Sequence, residues 1–183
     1  MKNLIISFDD IYKGNDKIEE FKKLKEEIPD FKVTFFVIAK DDIAYWESLK
    51  EDWIELVFHS TEHSGGWLKW SKEETIEKLK YYSSLGFSNG FKAPGWKMTQ
   101  NIADAINELN FWGCVCKGHE FGIKNKWITR NQGLDINENY IEMYGHIQDI
   151  DFKQKIDSIK KVVKNNEIRF KFISEVLNEY ENI

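Results

Sequence analysis

The segment LIISFDDIYKGN (residues 4–15) joins a strand-like apolar run to two adjacent carboxylates, Asp9 and Asp10. Neighbouring negative charges beside a core cost free energy unless a cation, a proton or a hydrogen-bond donor compensates them. Aspartate is also common in the turns that end strands, so the pair alone does not define a site. Compensating groups elsewhere in the chain therefore decide between a simple turn and a charged centre.

Beyond this segment, strand-like and helix-like stretches alternate to the end of the chain. Five further apolar runs predict strands, namely KVTFFVIA (32–39), WIELVF (53–58), GFKAPG (90–95), FWGCVC (111–116) and YIEMYG (140–145), and the closing IRFKFISEVL (168–177) predicts a strand that runs into a helix. Amphipathic stretches between them predict helices, one of which starts with a capping box at Ser71 and Glu74. About seven such repeats without a long linker predict one α/β domain over residues 1–183, in which helices wrap parallel strands in a barrel.

Composition and charge exclude several classes of protein. The formal net charge of -5 argues against a nucleic-acid or anionic-membrane surface as the main partner. The amino-terminal MKNLIISFDD lacks the features of a signal peptide, and no apolar run is long enough to span a bilayer. The sequence predicts a cytoplasmic protein without membrane insertion, and it leaves the oligomeric state open.

Residues suited to chemistry follow four of the predicted strands. In α/β barrels the active site lies at the carboxyl ends of the strands, where the loops between strands and helices converge. The residues at these ends are Asp9 and Asp10, His59 and His63, Lys92, and His146. We therefore expect the barrel to gather them in one site.

The motif HSTEH (59–63) has the spacing of metal ligands. One helical turn after the strand would direct both imidazoles to the same side. With one carboxylate of the Asp9–Asp10 pair, they would form a two-histidine, one-carboxylate site for zinc or another divalent transition metal. The other carboxylate would then be free to act as a base. The alternative interpretation is a pair of ordinary surface or core histidines.

Four motifs, in the order SFDD (7–10), HSTEH (59–63), FKAPGW (91–96) and MYGH (143–146), carry a family resemblance. They resemble the successive motifs of the NodB-type polysaccharide deacetylases, carbohydrate esterase family 4. The closing KFISEVL is similar to the strand and helix with which these domains often end. The resemblance implies a distorted (β/α)7 barrel, a NodB homology domain over residues 1–183, that removes acetyl groups from N-acetylated sugars or oligosaccharides.

The resemblance also implies a role for each matched residue. Asp9 would be the general base, and His146 would be the general acid that protonates the leaving amine. Asp10, His59 and His63 would bind one divalent metal, Zn²⁺ in the first place, with Co²⁺ or Ni²⁺ as alternatives. Metal, base and acid together meet the needs of amide hydrolysis near neutral pH.

The third motif departs from the family pattern. Lys92 stands where the family usually has an arginine that holds the base, and a lysine lacks the bidentate fork, so we expect weaker orientation of the base. Gly95 occupies a place where the family often has an aromatic residue, and we expect Trp96 to fill that space. The segment of Pro94, Gly95 and Trp96 is expected to contact the substrate, with a backbone N–H near Gly95 completing an oxyanion hole.

The carboxylate that orients the acid histidine in the family is not recognisable here. The segment KGHEFGIKNKW (117–127) offers only His119 and Glu120, and His119 is interpreted as an ordinary loop histidine. Asp149, three residues after His146, is another candidate.

Two tryptophans follow the metal-binding motif in HSGGWLKW (63–70). Trp67 or Trp70 would form a wall of the sugar groove, or both would pack against the following helix. The sequence leaves these alternatives open.

The leading hypothesis is a metal-dependent hydrolase that removes an N-acetyl group from an amino sugar. The alternative is a catalytically weakened carbohydrate-binding barrel that retains the metal site, which Lys92 and the missing orienting aspartate favour. A weaker third option is a phosphohydrolase with an aspartate nucleophile after the first strand. That class expects a second aspartate two residues after the first, where this chain has Ile11.

Overall fold

Parallel strands form the centre of the protein, in a computed structural model that describes residues 1–40, 42–129, 133–136 and 140–181. The strands within these ranges are β1 (Lys2–Ile11), β2 (Val33–Val37), β3 (Ile54–Phe58), β4 (Ser88–Lys92), β5 (Trp112–Cys116), β6 (Lys126–Thr129), β7 (Gly133–Ile136), β8 (Tyr140–His146) and β9 (Ile168–Lys171). The α-helices are α1 (Ile18–Glu27), α2 (Ile43–Ser48), α3 (Lys72–Ser84), α4 (Gln100–Glu108), α5 (Phe152–Asn165) and α6 (Ile173–Glu181). Short 3₁₀ helices lie at Gly66–Lys69 and Pro94–Trp96. Among the amphipathic stretches predicted as helices is DDIAYWESLK (41–50), which corresponds to α2, and position 41 lies outside the described residues.

The strands form one mixed sheet in the order β6-β5-β4-β3-β2-β1-β8-β7, and β9 pairs with the first residues of β1. All neighbours are parallel except β7, which runs antiparallel to β8. The sheet curls, since Trp127 on β6 donates a hydrogen bond across its inner side to Glu142 on β8, at 3.0 Å. The predicted α/β class with parallel strands is confirmed, and the curled sheet is compatible with a distorted barrel.

Strands β6 and β7 were not predicted from the sequence. They lie within residues 117–139, where no long apolar run marks a strand. Both are only four residues long, and β7 exposes alternate side chains, as an edge strand can. Their short length explains why pattern alone overlooked them.

Both faces of the sheet are apolar, which explains the nearly continuous apolar runs in the sequence. Alternate residues of each strand point to opposite faces. On the outer face, Phe8 and Phe35 pack with Phe21 of α1 at ring-centroid distances of 5.2 and 4.9 Å. On the inner face, a second cluster includes Phe36, Trp112 and, from α6, Ile173. Helix α6 therefore packs against the inside of the curl.

A polar pair joins α6 to the inner face of the sheet. Thr34 on β2 donates a hydrogen bond to Glu55 on β3 at 2.7 Å, and the Ile173 N–H donates to the Thr34 hydroxyl at 3.4 Å. Burial raises the pKa of Glu55, although hydrogen bonds from Ser174 and Thr34 oppose this. The pair belongs to the packing of α6.

The residues expected to carry chemistry lie at the carboxyl ends of their strands. Asp9 is near the end of β1 and opposite His146 in the β1–β8 pairing, Lys92 is the last residue of β4, and His59 directly follows β3. Because these strands are parallel, their carboxyl ends share one edge of the sheet. Among the helices of the described ranges, none combines the length and the apolar character that crossing a bilayer requires.

Candidate metal and catalytic centre

A bulge in β1 brings two adjacent carboxylates to the same place. Phe8 pairs with Phe35 and Ile11 with Val37, so β1 has one more residue than β2 over this stretch. Such a bulge redirects side chains, and Asp10 has φ 64°, a region that non-glycine residues rarely occupy. Neighbouring strand residues would otherwise point to opposite faces. Here the Asp9 and Asp10 carboxylates lie 3.9 and 3.5 Å from the same atom, Nε2 of His59.

The two histidines of HSTEH converge without the helical turn that the sequence predicted. Residues 59–65 form a loop, in which Ser60 has φ 83°. His59 Nε2 and His63 Nε2 nevertheless lie 3.5 and 3.2 Å from Asp10 Oδ1. One ligand atom from each of the three residues lies within 4.8 Å of the others. The expected helical turn is wrong, but the group of three residues could hold a metal ion.

The main chain of β4 orients His59 for binding a cation. His59 Nδ1 lies 2.8 Å from the Lys92 carbonyl oxygen, which can only accept a hydrogen bond. Nδ1 therefore carries the proton, and the unprotonated Nε2 points toward Asp10. Metal-binding histidines commonly have their second nitrogen fixed in this way.

The Asp10 carboxylate has the properties of a cation ligand. Its Oδ2 accepts a hydrogen bond from Gln148 Nε2 at 2.6 Å, whereas its buried Oδ1 has no hydrogen-bond partner within the described ranges of the chain. Burial alone would raise the pKa of Asp10, but the neighbouring His59 imidazole, the Gln148 hydrogen bond and the nearby His63 lower it below its ordinary value. A buried, ionised oxygen facing two imidazoles fits a divalent transition metal.

We expect Gln148→Leu to weaken zinc affinity by about 10- to 100-fold, because it removes the hydrogen bond that orients Asp10. Competition with a coloured chelator at fixed pH measures the dissociation constant. Gln100→Leu is a matched control, since Gln100 donates to Asp104 at 2.8 Å on the exposed face of α4. Equal zinc affinities of Gln148→Leu and the unmodified protein would contradict this role.

The second carboxylate, Asp9, has buried donors of its own and is not one of the three residues that could hold a metal ion. Only 3% of Asp9 is exposed. Lys92 Nζ lies 2.7 Å from each of its oxygens, and the Tyr144 hydroxyl donates to Oδ2 at 2.9 Å. The single ammonium thus contacts both oxygens of Asp9, and the weaker orientation expected of a lysine stays a prediction.

Lys92 lies inside a cage of aromatic rings. Its Nζ is 4.6 Å from the centre of the Phe36 ring, 4.1 Å from Trp96 and 3.9 Å from Tyr144, and 1% of the residue is exposed. Cations are attracted to the faces of aromatic rings, and more strongly where water is excluded. The rings and Asp9 together compensate the buried ammonium.

His146 faces a carboxylate on each side. Its Nε2 lies 3.8 Å from Asp9 Oδ2, and its Nδ1 lies 3.7 Å from Asp149 Oδ1. Asp149 also accepts a hydrogen bond from the His146 backbone N–H at 2.8 Å and contacts the buried Lys155 ammonium at 2.9 Å. Burial would raise the pKa of Asp149, but these two donors lower it. Asp149 is therefore the candidate that stands beside His146, whereas Glu120 accepts the Gly118 N–H.

The segment after β4 borders a cavity of about 420 Å³. Pro94 is buried, Trp96 is half-buried and Gly95 is exposed. Gly95 has φ 57°, and a Cβ added there would meet nothing within 4 Å, so its backbone faces open space. Leu68 and Phe121 line the same cavity beside Trp96.

The two tryptophans after the HSTEH motif are packing residues. Trp67 is 4% exposed, and its indole N–H donates to the Lys97 carbonyl at 3.0 Å. Trp70 is also buried and stacks on Phe58 at 6.1 Å. The structure supports the packing alternative, because Trp67 has little surface left for stacking on a sugar.

Two residues of the site were absent from the sequence-based set. Tyr144 precedes His146 by two positions on β8, so strand alternation places both on one face, and this signal was available in the sequence. Gln148 lies in the following loop, where no periodicity pointed to it.

No protein-family model matches this chain, and no curated protein matches it. The NodB-type resemblance of the four motifs therefore remains a proposal. Its support comes from the residues and distances described above.

Proposed function

We propose that this protein is a metal-dependent hydrolase that removes the N-acetyl group from an amino sugar, on a distorted (β/α)7 barrel of NodB type. One observation supports this most strongly. The metal-binding group of Asp10, His59 and His63 adjoins a second carboxylate with its own buried partners, and a histidine lies 3.8 Å from that carboxylate. An ion pair that only stabilised the fold would not need one carboxylate beside two histidines and a second carboxylate with separate partners.

In this proposal Asp10, His59 and His63 hold one divalent ion, with zinc as the first choice. When bound, such an ion supplies Lewis acidity to the amide carbonyl and makes water a better nucleophile near neutral pH. Asp9 accepts the proton of the attacking water, and His146 donates a proton to the departing nitrogen as the C–N bond breaks. The products are acetate and the free amino sugar.

The remaining parts of the substrate would be bound beside the 3₁₀ helix Pro94–Trp96. The exposed backbone at Gly95 would offer an N–H to the carbonyl oxygen of the amide as negative charge develops there. The cavity bordered by Trp96, Leu68 and Phe121 would receive the sugar, whose ring can pack on the aromatic faces. This arrangement suits a saccharide that carries at least one N-acetylated ring.

A second candidate, a carbohydrate-binding barrel with a metal site but weak turnover, is favoured by one observation. Both oxygens of Asp9 already contact Lys92, and Oδ2 also accepts the Tyr144 hydroxyl. These donors already occupy lone pairs of the carboxylate that a general base needs for the proton of the attacking water. Measured turnover distinguishes the two candidates.

The test is metal content together with acetate release from a panel of N-acetylated mono- and oligosaccharides, with zinc, cobalt or nickel added. We expect about one metal ion per chain, since three ligands with open positions suit a single ion. His59→Ala combined with His63→Ala should lose both metal and activity, because two of the three ligands are gone.

His119→Ala serves as the control for metal content, since this histidine is exposed and lies outside the group of three ligands. Undiminished metal in the double variant would contradict the proposed site. Metal and saccharide binding without acetate release from any substrate would support the carbohydrate-binding alternative.

A further inference from the structure

Tyr144 contacts both proposed catalytic residues through one atom. Its hydroxyl oxygen lies 2.9 Å from Asp9 Oδ2 and 3.3 Å from His146 Nε2. The direct distance between these two partners is 3.8 Å. The hydroxyl therefore provides the shorter contacts between base and acid.

The available donors and acceptors define which group donates in each of the two hydrogen bonds of the Tyr144 hydroxyl. An ionised carboxylate can only accept, so the single hydroxyl proton of Tyr144 goes to Asp9. The hydroxyl oxygen then accepts from His146, which requires a proton on Nε2. A bare Nε2 would instead place two acceptors against each other. The chain thus runs from His146 Nε2–H to the Tyr144 hydroxyl and on to Asp9.

We propose that Tyr144 is a positioning residue whose hydroxyl keeps the proton of His146 on Nε2, the nitrogen that faces Asp9. The role of His146 as the acid rests on the proposed function, whereas the direction of the hydrogen-bond chain does not. Without the hydroxyl, Nε2 would lose its acceptor at 3.3 Å.

The surroundings of Tyr144 support a fixed donor. Its ring packs edge-on to Trp96 at 5.8 Å and lies against the Lys92 ammonium at 3.9 Å, so the side chain has a defined position. Burial, followed by the charge and hydrogen bond of Asp9, raises the pKa of Tyr144. The hydroxyl therefore keeps its proton across the pH range in which the protein would work.

Loss of the Tyr144 hydroxyl would have different effects if its role were purely structural. If the hydroxyl only compensated the buried Asp9 carboxylate, its loss would lower the free energy of unfolding and leave the His146 proton unchanged. If it positions His146, its loss changes the protonation pattern of that imidazole.

The experiment is NMR of ¹⁵N-histidine-labelled full-length protein, metal-free and zinc-loaded, in the unmodified form and in Tyr144→Phe. The chain has four histidines, so the spectrum is simple, and His146→Gln assigns the resonance. We expect a proton on Nε2 of His146 in the unmodified protein and its loss or rapid exchange in Tyr144→Phe. We also expect kcat to fall by about 10- to 100-fold with KM unchanged, part of what a positioned acid contributes.

Tyr45→Phe is the matched control, because Tyr45 donates to the Asp16 carboxylate at 2.5 Å outside the group described here. It should leave the His146 resonances unchanged. An unprotonated Nε2 in the unmodified protein would overturn the proposal, and this holds even if Tyr144→Phe does not fold. Identical His146 signals in folded Tyr144→Phe would overturn it as well. If no substrate is ever turned over, the proposed function fails, but the NMR comparison still decides the role of Tyr144.

Discussion

Asp9→Asn is expected to abolish most hydrolysis while the protein keeps its metal. The amide side chain has the shape of the carboxylate but cannot accept the proton of the attacking water. Acetate release should therefore fall by about two to four orders of magnitude, which is the usual contribution of a positioned general base. Metal content and acetate release are measured side by side on the same preparation.

Asp10→Asn is the informative comparison, since the adjacent residue carries a different proposed role. It should weaken metal binding, because a neutral amide oxygen replaces the ionised Oδ1 that faces the two histidines. Full turnover in Asp9→Asn would show that Asp9 is not the base. Loss of metal in Asp9→Asn but not in Asp10→Asn would reverse the two assignments.

Lys92→Met is expected to lower the free energy of unfolding by about 3–5 kcal/mol, because it leaves the buried Asp9 carboxylate without its counter-charge. Methionine retains most of the aliphatic stem, so packing against Phe36 and Trp96 changes little. Urea unfolding at neutral pH, followed by tryptophan fluorescence, measures the effect.

Two further variants test whether the unpaired charge of Asp9 causes the loss of stability. Asp9→Asn combined with Lys92→Met removes both members of the pair, so it should recover much of the lost stability and remain inactive. Lys50→Met is the control, because Lys50 pairs with Glu47 on the surface and such pairs contribute about 0–1 kcal/mol. Equal stability losses in Lys92→Met and Lys50→Met would contradict a buried pair at Asp9. Turnover in the double variant would contradict the role of Asp9.

The sequence alone was sufficient for the fold class and for the residue types of the site. Strand and helix periodicities are local properties of the chain, so the alternation of strands and helices was readable without the structure. Because parallel strands share the direction of their carboxyl ends, it followed that residues at the carboxyl ends of β1, β3, β4 and β8 would meet. The number of strands could not be predicted from local pattern, since β6 and β7 are short and lack an apolar run.

The tertiary structure decided how the side chains of the site are directed. The bulge at Asp9 and Asp10 depends on the pairing of β1 with β2, and no periodicity in the sequence records it. The contact of Tyr144 with Asp9 joins residues 135 positions apart, and its existence depends on the register between β1 and β8.

The outcomes for Lys92 and Trp67 have the same cause. Residue type alone did not show that the Lys92 ammonium, packed among aromatic rings, would contact both carboxylate oxygens of Asp9. Trp67 could have faced a sugar or the core, and its hydrogen bond to the Lys97 carbonyl fixes it in the core. Composition and local pattern determine which groups are present, whereas direction and burial depend on contacts between segments that are distant in the chain.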